Sequence, residues 1–160
     1  MGTTRTRCKC MEKRKSTLTK KSSARSLAWI ALNRAWTRVS DRIESALKQA
    51  GHPSLAWYDV LWELEKVDDA GLRPVELEAR LLIQQHNLSR LLARMEKAGM
   101  VTKLRCPEDG RGLRVRLTEK GRRTRDRMWD IYRPALDDAL RGLSDEEAKT
   151  LADRLDGLGV

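Results

Sequence analysis

The chain has 160 residues, with 33 Lys and Arg against 23 Asp and Glu, for a net charge of +10, a length that suits one domain with a modest core. No apolar run approaches the roughly 20 residues that cross a bilayer, and the basic, polar N-terminus lacks the apolar stretch of a secretory signal, so a cytoplasmic protein without membrane contact is expected. The cysteines Cys8, Cys10 and Cys106 are odd in number and two lie in a basic tail, which argues against a secreted disulfide framework.

The charge is unevenly spread. Residues 1–25 carry nine basic residues against Glu12 alone. Residues 84–127 carry 13 basic and 5 acidic residues, whereas the remainder of the body has 11 basic and 17 acidic. A polarised body of this kind is the footprint of a surface that meets polyphosphate.

Residues 1–25, rich in Lys, Arg, Ser and Thr and nearly free of apolar side chains, read as a disordered basic tail. A solvated tail or an upstream start-site extension accounts for it more simply than a DNA-anchoring arm, because nothing in it is patterned. Residues 26–50 are expected to form a long helix, with Leu32, Trp36, Val39, Ile43 and Leu47 as an apolar stripe at steps of three and four. Gly51, His52 and Pro53 end it. A second helix is expected over 55–67, with Trp57, Val60, Leu61 and Leu64 on one face, broken by Asp68, Asp69, Ala70 and Gly71. Pro74 suits the first turn of a short helix over 74–81. After a turn near Leu82 and Ile83, a helix over 84–98 carries Leu88, Leu91, Leu92 and Met95 on one face and ends at Gly99.

Two short strands follow, MVTKLRC and LRVRLT, joined by PEDGRG, in which Asp109-Gly110 is a turn signal. Leu113, Val115 and Leu117 alternate with Arg114 and Arg116, so one face packs and the other meets water or phosphate. Thr118 can cap a helix over 119–141, lined by Met128, Tyr132, Ala135, Leu136 and Leu140, in which Pro134 is expected to produce a kink or a change of direction. Ser144-Asp-Glu-Glu147 is a capping box for a last helix that stops at Gly157 or Gly159.

The order of elements gives a mainly α fold with a small β-hairpin wing: a winged helix-turn-helix with flanking long dimerisation helices. Residues 55–118 form the DNA-binding core within one domain, 26–160, and residues 26–52 and 119–158 form the helical dimerisation region. Those long stripes exceed what so small a core can cover. A homodimer would cover them, and its two-fold axis would match a pseudo-palindromic operator.

With these residues in view, the chain resembles the MarR family of bacterial transcriptional regulators. The likeness runs from about Leu27 to Leu158 and rests on the helix order, on LSRLLARMEKAGMV (88–101) and on DGRGLRVRLTEKG (109–121), which fits a wing pattern D-x-R followed by LT-x-x-G. The resemblance implies an obligate dimer on operator DNA, usually a repressor, often released by a small aromatic ligand or by oxidation. It also implies that Asp109 braces the wing. A family ligand site would sit between the dimer helices and the reader, near Trp29, Trp36, Trp57, Tyr58 and Trp62, although ordinary core packing is the first reading for any single Trp.

With its apolar face against the body, the helix over 84–98 turns His86, Arg90, Ala93 and Lys97 most directly outward, flanked by Asn87 and Arg94 and by Gln85 and Ser89. Gln85, His86, Asn87, Ser89 and Arg90 are expected near the floor of the major groove, where Asn and Gln pair with adenine and Arg grips guanine. Arg94 and Lys97 are expected at phosphates, which position the protein without reading sequence. Arg111 at the wing tip suits the narrow minor groove, and Lys103, Arg114 and Arg116 are candidates for further phosphate contacts.

No cofactor or metal site is expected, since Cys8-x-Cys10 has no second ligand pair. Cys106 lacks a setting that would lower its pKa, and His52 reads as structural. No catalytic constellation is present in the sequence, so an enzyme is not expected. The competing function is a basic DNA- or RNA-binding architectural protein without sequence preference, which the tail favours and the polar cluster at 85–90 disfavours.

Overall fold

The computed structural model describes residues 23–81, 85–105 and 112–158. In chain order they form α1 (Ala24–Gln49), α2 (Leu55–Glu65), a 3-10 turn (Asp68–Ala70), α3 (Pro74–Leu81), α4 (Gln85–Lys97), β1 (Val101–Arg105), β2 (Leu113–Leu117), α5 (Glu119–Leu140) and α6 (Asp145–Asp156). The tail 1–22, the turn near Leu82 and Ile83, and the wing tip with Cys106, Asp109 and Arg111 lie outside the described residues.

The chain divides into two compact units after Arg38. Within the first, every described residue is exposed, including Leu27, Trp29, Ile30, Leu32 and Trp36. The apolar stripe read along α1 is therefore buried only toward its C-terminal end, where Ile43 and Leu47 enter the core of the second unit and Val39 packs against it.

α1 stops as its sequence indicates. Gly51 takes a φ of +73°, and the His52 N–H donates to the Leu47 carbonyl at 2.9 Å, a glycine-terminated cap. The start of α2 is less legible. Ser54 occupies the N-cap position without a side-chain capping bond. The Leu55 N–H instead donates to Glu44 Oε2 at 2.6 Å, so a carboxylate of α1 satisfies a donor that the helix leaves unpaired.

The core of the second unit joins Val60, Leu61 and Leu64 of α2, Leu77 of α3, and Leu88, Leu91, Leu92 and Met95 of α4 to Val101, Val115 and Met128. Burying a side chain of this size contributes about 1.5–3 kcal/mol. The four α4 residues are those expected from their 3.6-residue periodicity, and their burial fixes which face of α4 remains outside.

β1 and β2 pair antiparallel, with Val101 opposite Leu117, Lys103 opposite Val115 and Arg105 opposite Leu113. Val115 and Leu117 are buried as the alternation predicts, but Leu113 is exposed, because β2 begins outside the edge of the core and enters it only toward Val115. The other edge of β2 is engaged by Leu72. The Val115 N–H donates to the Leu72 carbonyl at 2.8 Å, and the Leu72 N–H donates back at 3.0 Å. This second pairing of β2 was not legible in the sequence.

The Leu-Thr-x-x-Gly run at the exit of the hairpin has a physical reason at its Thr and at its Gly. Thr118 Oγ1 accepts from the Gly121 N–H at 3.0 Å, capping α5, and donates to the Gly99 carbonyl at 2.8 Å. A Cβ at Gly121 would strike the Met100 carbonyl oxygen and come within 2.7 Å of Leu117 Cδ1. Only glycine lets α5 leave so close to the strand that precedes it. α5 then continues through Pro134 without interruption to Leu140. Pro134 has no N–H to give to the Asp130 carbonyl, yet the helix does not end there. α6 begins with the expected capping box between Ser144 and Glu147, and these bonds hold the Glu147 carboxyl below its ordinary pKa.

Candidate nucleic-acid interface

α4 presents the outward face that its burial pattern requires. Asn87, Ser89, Arg90, Ala93, Arg94 and Lys97 are exposed opposite buried Leu88, Leu91, Leu92 and Met95. Gln85 and His86 belong to the same helix, but their side chains lie outside the described residues. Asn87, Arg90 and Arg94 line a groove of about 660 Å³ with Leu91, Ala93 and Ala56 at the start of α2. Two guanidinium groups thus border a concave surface beside the helix, an arrangement suited to a strand of phosphates.

The far end of α4 is tied to the hairpin. Gly99 takes a φ of +72°, and the Met100 N–H donates to the Met95 carbonyl at 3.0 Å. Lys120 Nζ of α5 donates to the Ala98 carbonyl at 2.7 Å, placing a cation at the negative end of the helix. Lys103 on β1 pairs with Glu96 on α4 at 2.7 Å.

The wing residues divide. Arg111, the expected minor-groove contact, and Asp109, its expected brace, are outside the described residues. Lys103 is half-buried and paired with Glu96. Arg114, expected as a phosphate contact, directs Nη1 inward to the carbonyls of Gly71 at 2.9 Å and Ala70 at 3.3 Å. Alternation along β2 gives the side of the strand on which Arg114 lies. It cannot reveal that a turn 43 residues earlier supplies acceptors on that side.

The aromatic residues also regroup. Of the five Trp and Tyr residues expected near a ligand site, Tyr58 and Trp62 come together, with ring centroids 6.3 Å apart. Trp57 packs against the core from a half-buried position, whereas Trp29 and Trp36 are exposed in the first unit. The partners of Tyr58 are instead Tyr132 at 4.7 Å and Trp129 at 6.5 Å, both on α5 and nearly parallel to it. Lys66 and Arg125 stand 5.5 and 5.7 Å from the Trp62 ring, within reach of cation–π attraction. Neither Trp129 nor Tyr132 was assigned to this cluster from sequence. Their spacing of three on α5 is the one signal that could have suggested a shared aromatic face.

The same region shifts three ionisable groups. Burial, then Tyr132, pushes Tyr58 up to about 12, with Arg125 opposing and Asp59 adding to the rise. Tyr132 is raised by burial and by Asp59. Asp59 rises to about 6 through burial, then the neighbouring carboxylates Glu63 and Glu44. Glu65 links α2 to α5 by ion pairs with Arg122 at 2.8 Å and Arg125 at 3.5 Å. Among the described residues no group of His, Cys, Asp and Glu is placed to hold a metal ion, and no helix is long and apolar enough to cross a membrane.

A family model described as MarR family matches residues 53–112, from the start of α2 to the foot of β2. A MarR family transcriptional regulator from Streptomyces coelicolor, solved in complex with DNA, superimposes with a TM-score of 0.76 and 28% identity, covering 84% of this chain and 86% of that one. The chain is similar to MarR-family regulators in both sequence and fold. Other transcriptional regulators are similar as well. The HTH-type transcriptional repressor IacR of Pseudomonas putida is 27% identical over 123 residues, 77% of this chain and 71% of that protein. The HTH-type transcriptional regulator TtmR of Methylorubrum extorquens is 33% identical over 96 residues, 60% of this chain and 46% of its own length. A mutant MarR from E. coli complexed with operator DNA shares the MarR fold at a TM-score of 0.73 and 23% identity, covering 81% of this chain and 91% of that one.

Proposed function

We propose that the protein is a sequence-specific transcriptional repressor that acts in the cytoplasm as a homodimer on a pseudo-palindromic operator. The observation that carries this reading is α4. One of its faces is fully committed to the core, and the other displays Asn87, Ser89, Arg90, Arg94 and Lys97 to solvent, immediately before a hairpin. A helix of that character enters the major groove with the hairpin beside it. Asn87 and Arg90 would contact base edges together with Gln85 and His86, while Arg94 and Lys97 would grip phosphates. Arg111 would reach the minor groove.

The exposed stripe of Leu27, Trp29, Ile30, Leu32 and Trp36 supports pairing with a second copy, since contiguous apolar surface of this kind marks an interface. Support for an effector comes from an organohalide-sensing regulator of the same fold, which was solved in a 2,4-dichlorophenol-bound form at a TM-score of 0.75. In this chain a small aromatic effector would meet Trp62, the most exposed ring of the stacked group on α2 and α5.

Competition between the protein's own promoter and random duplex tests the reading. A specific repressor prefers its promoter by about 10³ or more. Equal affinity for both would instead identify a sequence-tolerant nucleic-acid binder, the role that the +8 charge of residues 1–25 favours.

A further inference from the structure

The segment before α3 is pressed against the wing at three points. Leu72 and Val115 exchange two backbone hydrogen bonds, of 2.8 and 3.0 Å. Gly71 holds a φ of +63°, and a Cβ there would lie 2.6 Å from the Val115 carbonyl oxygen and 2.7 Å from Arg116 Cγ. Arg114 Nη1 donates to the carbonyls of both Ala70 and Gly71, at 3.3 and 2.9 Å. Ala70 ends the 3-10 turn, where carbonyls lack helical partners and carry partial negative charge. A guanidinium is well suited to such a pair of acceptors.

Geometry gives these contacts one direction. Leu72 leads within two residues to Pro74, the start of α3, and α3 packs on α4. Arg114 lies opposite Leu104, one residue short of the exposed Leu113. It is therefore the last described side chain of β2 to grip the body before the wing tip. Its only direct neighbours among the bonds just described are backbone carbonyls, and a phosphate would have to compete with them.

We propose that Arg114 is a positioning residue that clamps the wing to the entry of the helix-turn-helix, so that hairpin and α4 meet DNA as one body. The proposal rests on the DNA-reading function above. It assigns the cation on β2 to alignment, not to phosphate binding.

The test uses the full chain, its promoter duplex, and the variants Arg114→Ala and Arg114→Lys. Losing a charged hydrogen-bond donor at the clamp should weaken promoter binding about tenfold. The slope of log affinity against log salt should stay the same, because no phosphate contact is removed. Amide exchange at Leu72 and Val115 should accelerate by about tenfold in the free protein. Arg114→Lys should recover little, since a lysine side chain is one bond shorter and its ammonium would fall short of the two carbonyls that Arg114 Nη1 reaches. The binding cost should also shrink to less than about twofold in an Arg111→Ala background, because both changes then act through one wing.

A salt slope lowered by about one with exchange unchanged would make Arg114 a phosphate ligand and overturn the proposal. Full rescue by lysine, or an undiminished cost beside Arg111→Ala, would overturn it as well. If the wild type shows no preference for its promoter, the DNA-reading function fails. The exchange arm, which needs no DNA, still decides whether the clamp exists.

Discussion

Glu96 Oε2 on α4 stands 2.7 Å from Lys103 Nζ on β1, so the last turn of α4 and the first strand of the hairpin share an ion pair. Both side chains retain solvent contact, and pairs of this kind contribute about 0–1 kcal/mol. Glu96→Gln should therefore leave urea denaturation nearly unchanged. It should also release the Lys103 ammonium for a phosphate and steepen the salt dependence of DNA binding by about one unit. A slope identical to the wild type would show that Lys103 does not face DNA.

Gly121→Ala should be the more damaging of two changes at the hairpin exit. The added methyl meets the Met100 carbonyl and Leu117, neither of which can withdraw without moving β1 or β2, and overpacking of this kind costs about 3 kcal/mol. Thr118→Ala removes the α5 cap and should cost about 1–2 kcal/mol. Chemical denaturation of both variants checks the order, and a harmless Gly121→Ala would refute the close approach.

Asp59 gives the protein a stability term with an unusual sign. Its folded pKa of about 6 exceeds the ordinary 3.8 of a free aspartate, through burial and then through Glu63 and Glu44. The folded state thus binds the proton more tightly than the unfolded chain. The contribution is fully present below about pH 4 and is lost as pH rises through about 6. Asp59→Asn, which never ionises, should stabilise the protein at pH 7.5 by on the order of 1 kcal/mol and have much less effect at pH 4.5. Denaturation midpoints at the two pH values test this, and equal effects at both would remove Asp59 as the source.

Trp36 is 69% exposed and Trp29 is 65% exposed. If a second copy covers them, Trp36→Asp should convert a dimer to a monomer at micromolar concentration, since a charge at the centre of an apolar contact costs several-fold to many-fold in affinity. Light scattering on a sizing column reads the outcome directly. A wild-type monomer would remove the two-half-site arrangement.

What the sequence revealed and what it hid separate by range. Leu88, Leu91, Leu92 and Met95 announce the buried face of α4 because helical periodicity is local, and Arg90, Arg94 and Lys97 follow as its outer face. Thr118 and Ser144 announce their caps for the same reason. The bonds from Arg114 to Ala70 and Gly71 were hidden because those acceptors lie far back in the chain. Glu44 capping α2, Leu72 extending the sheet, and Tyr58 stacking on Tyr132 are likewise pairings between distant segments. No local pattern encodes which distant group will arrive. Trp129 and Tyr132, far along the chain on α5, stay hidden as partners of Tyr58 for the same reason.

α5 runs unbroken from its cap at Thr118, against the wing, to Leu140. Each residue of such a helix turns the chain by about 100° and advances it by about 1.5 Å. A single residue inserted near Arg133 would leave both ends folded but rotate one against the other by more than a quarter turn. The length of this helix therefore acts as a phase setting: it fixes the angular bearing of the reader relative to the C-terminal end of the rod, and hence which spacing between half-sites a paired molecule could span.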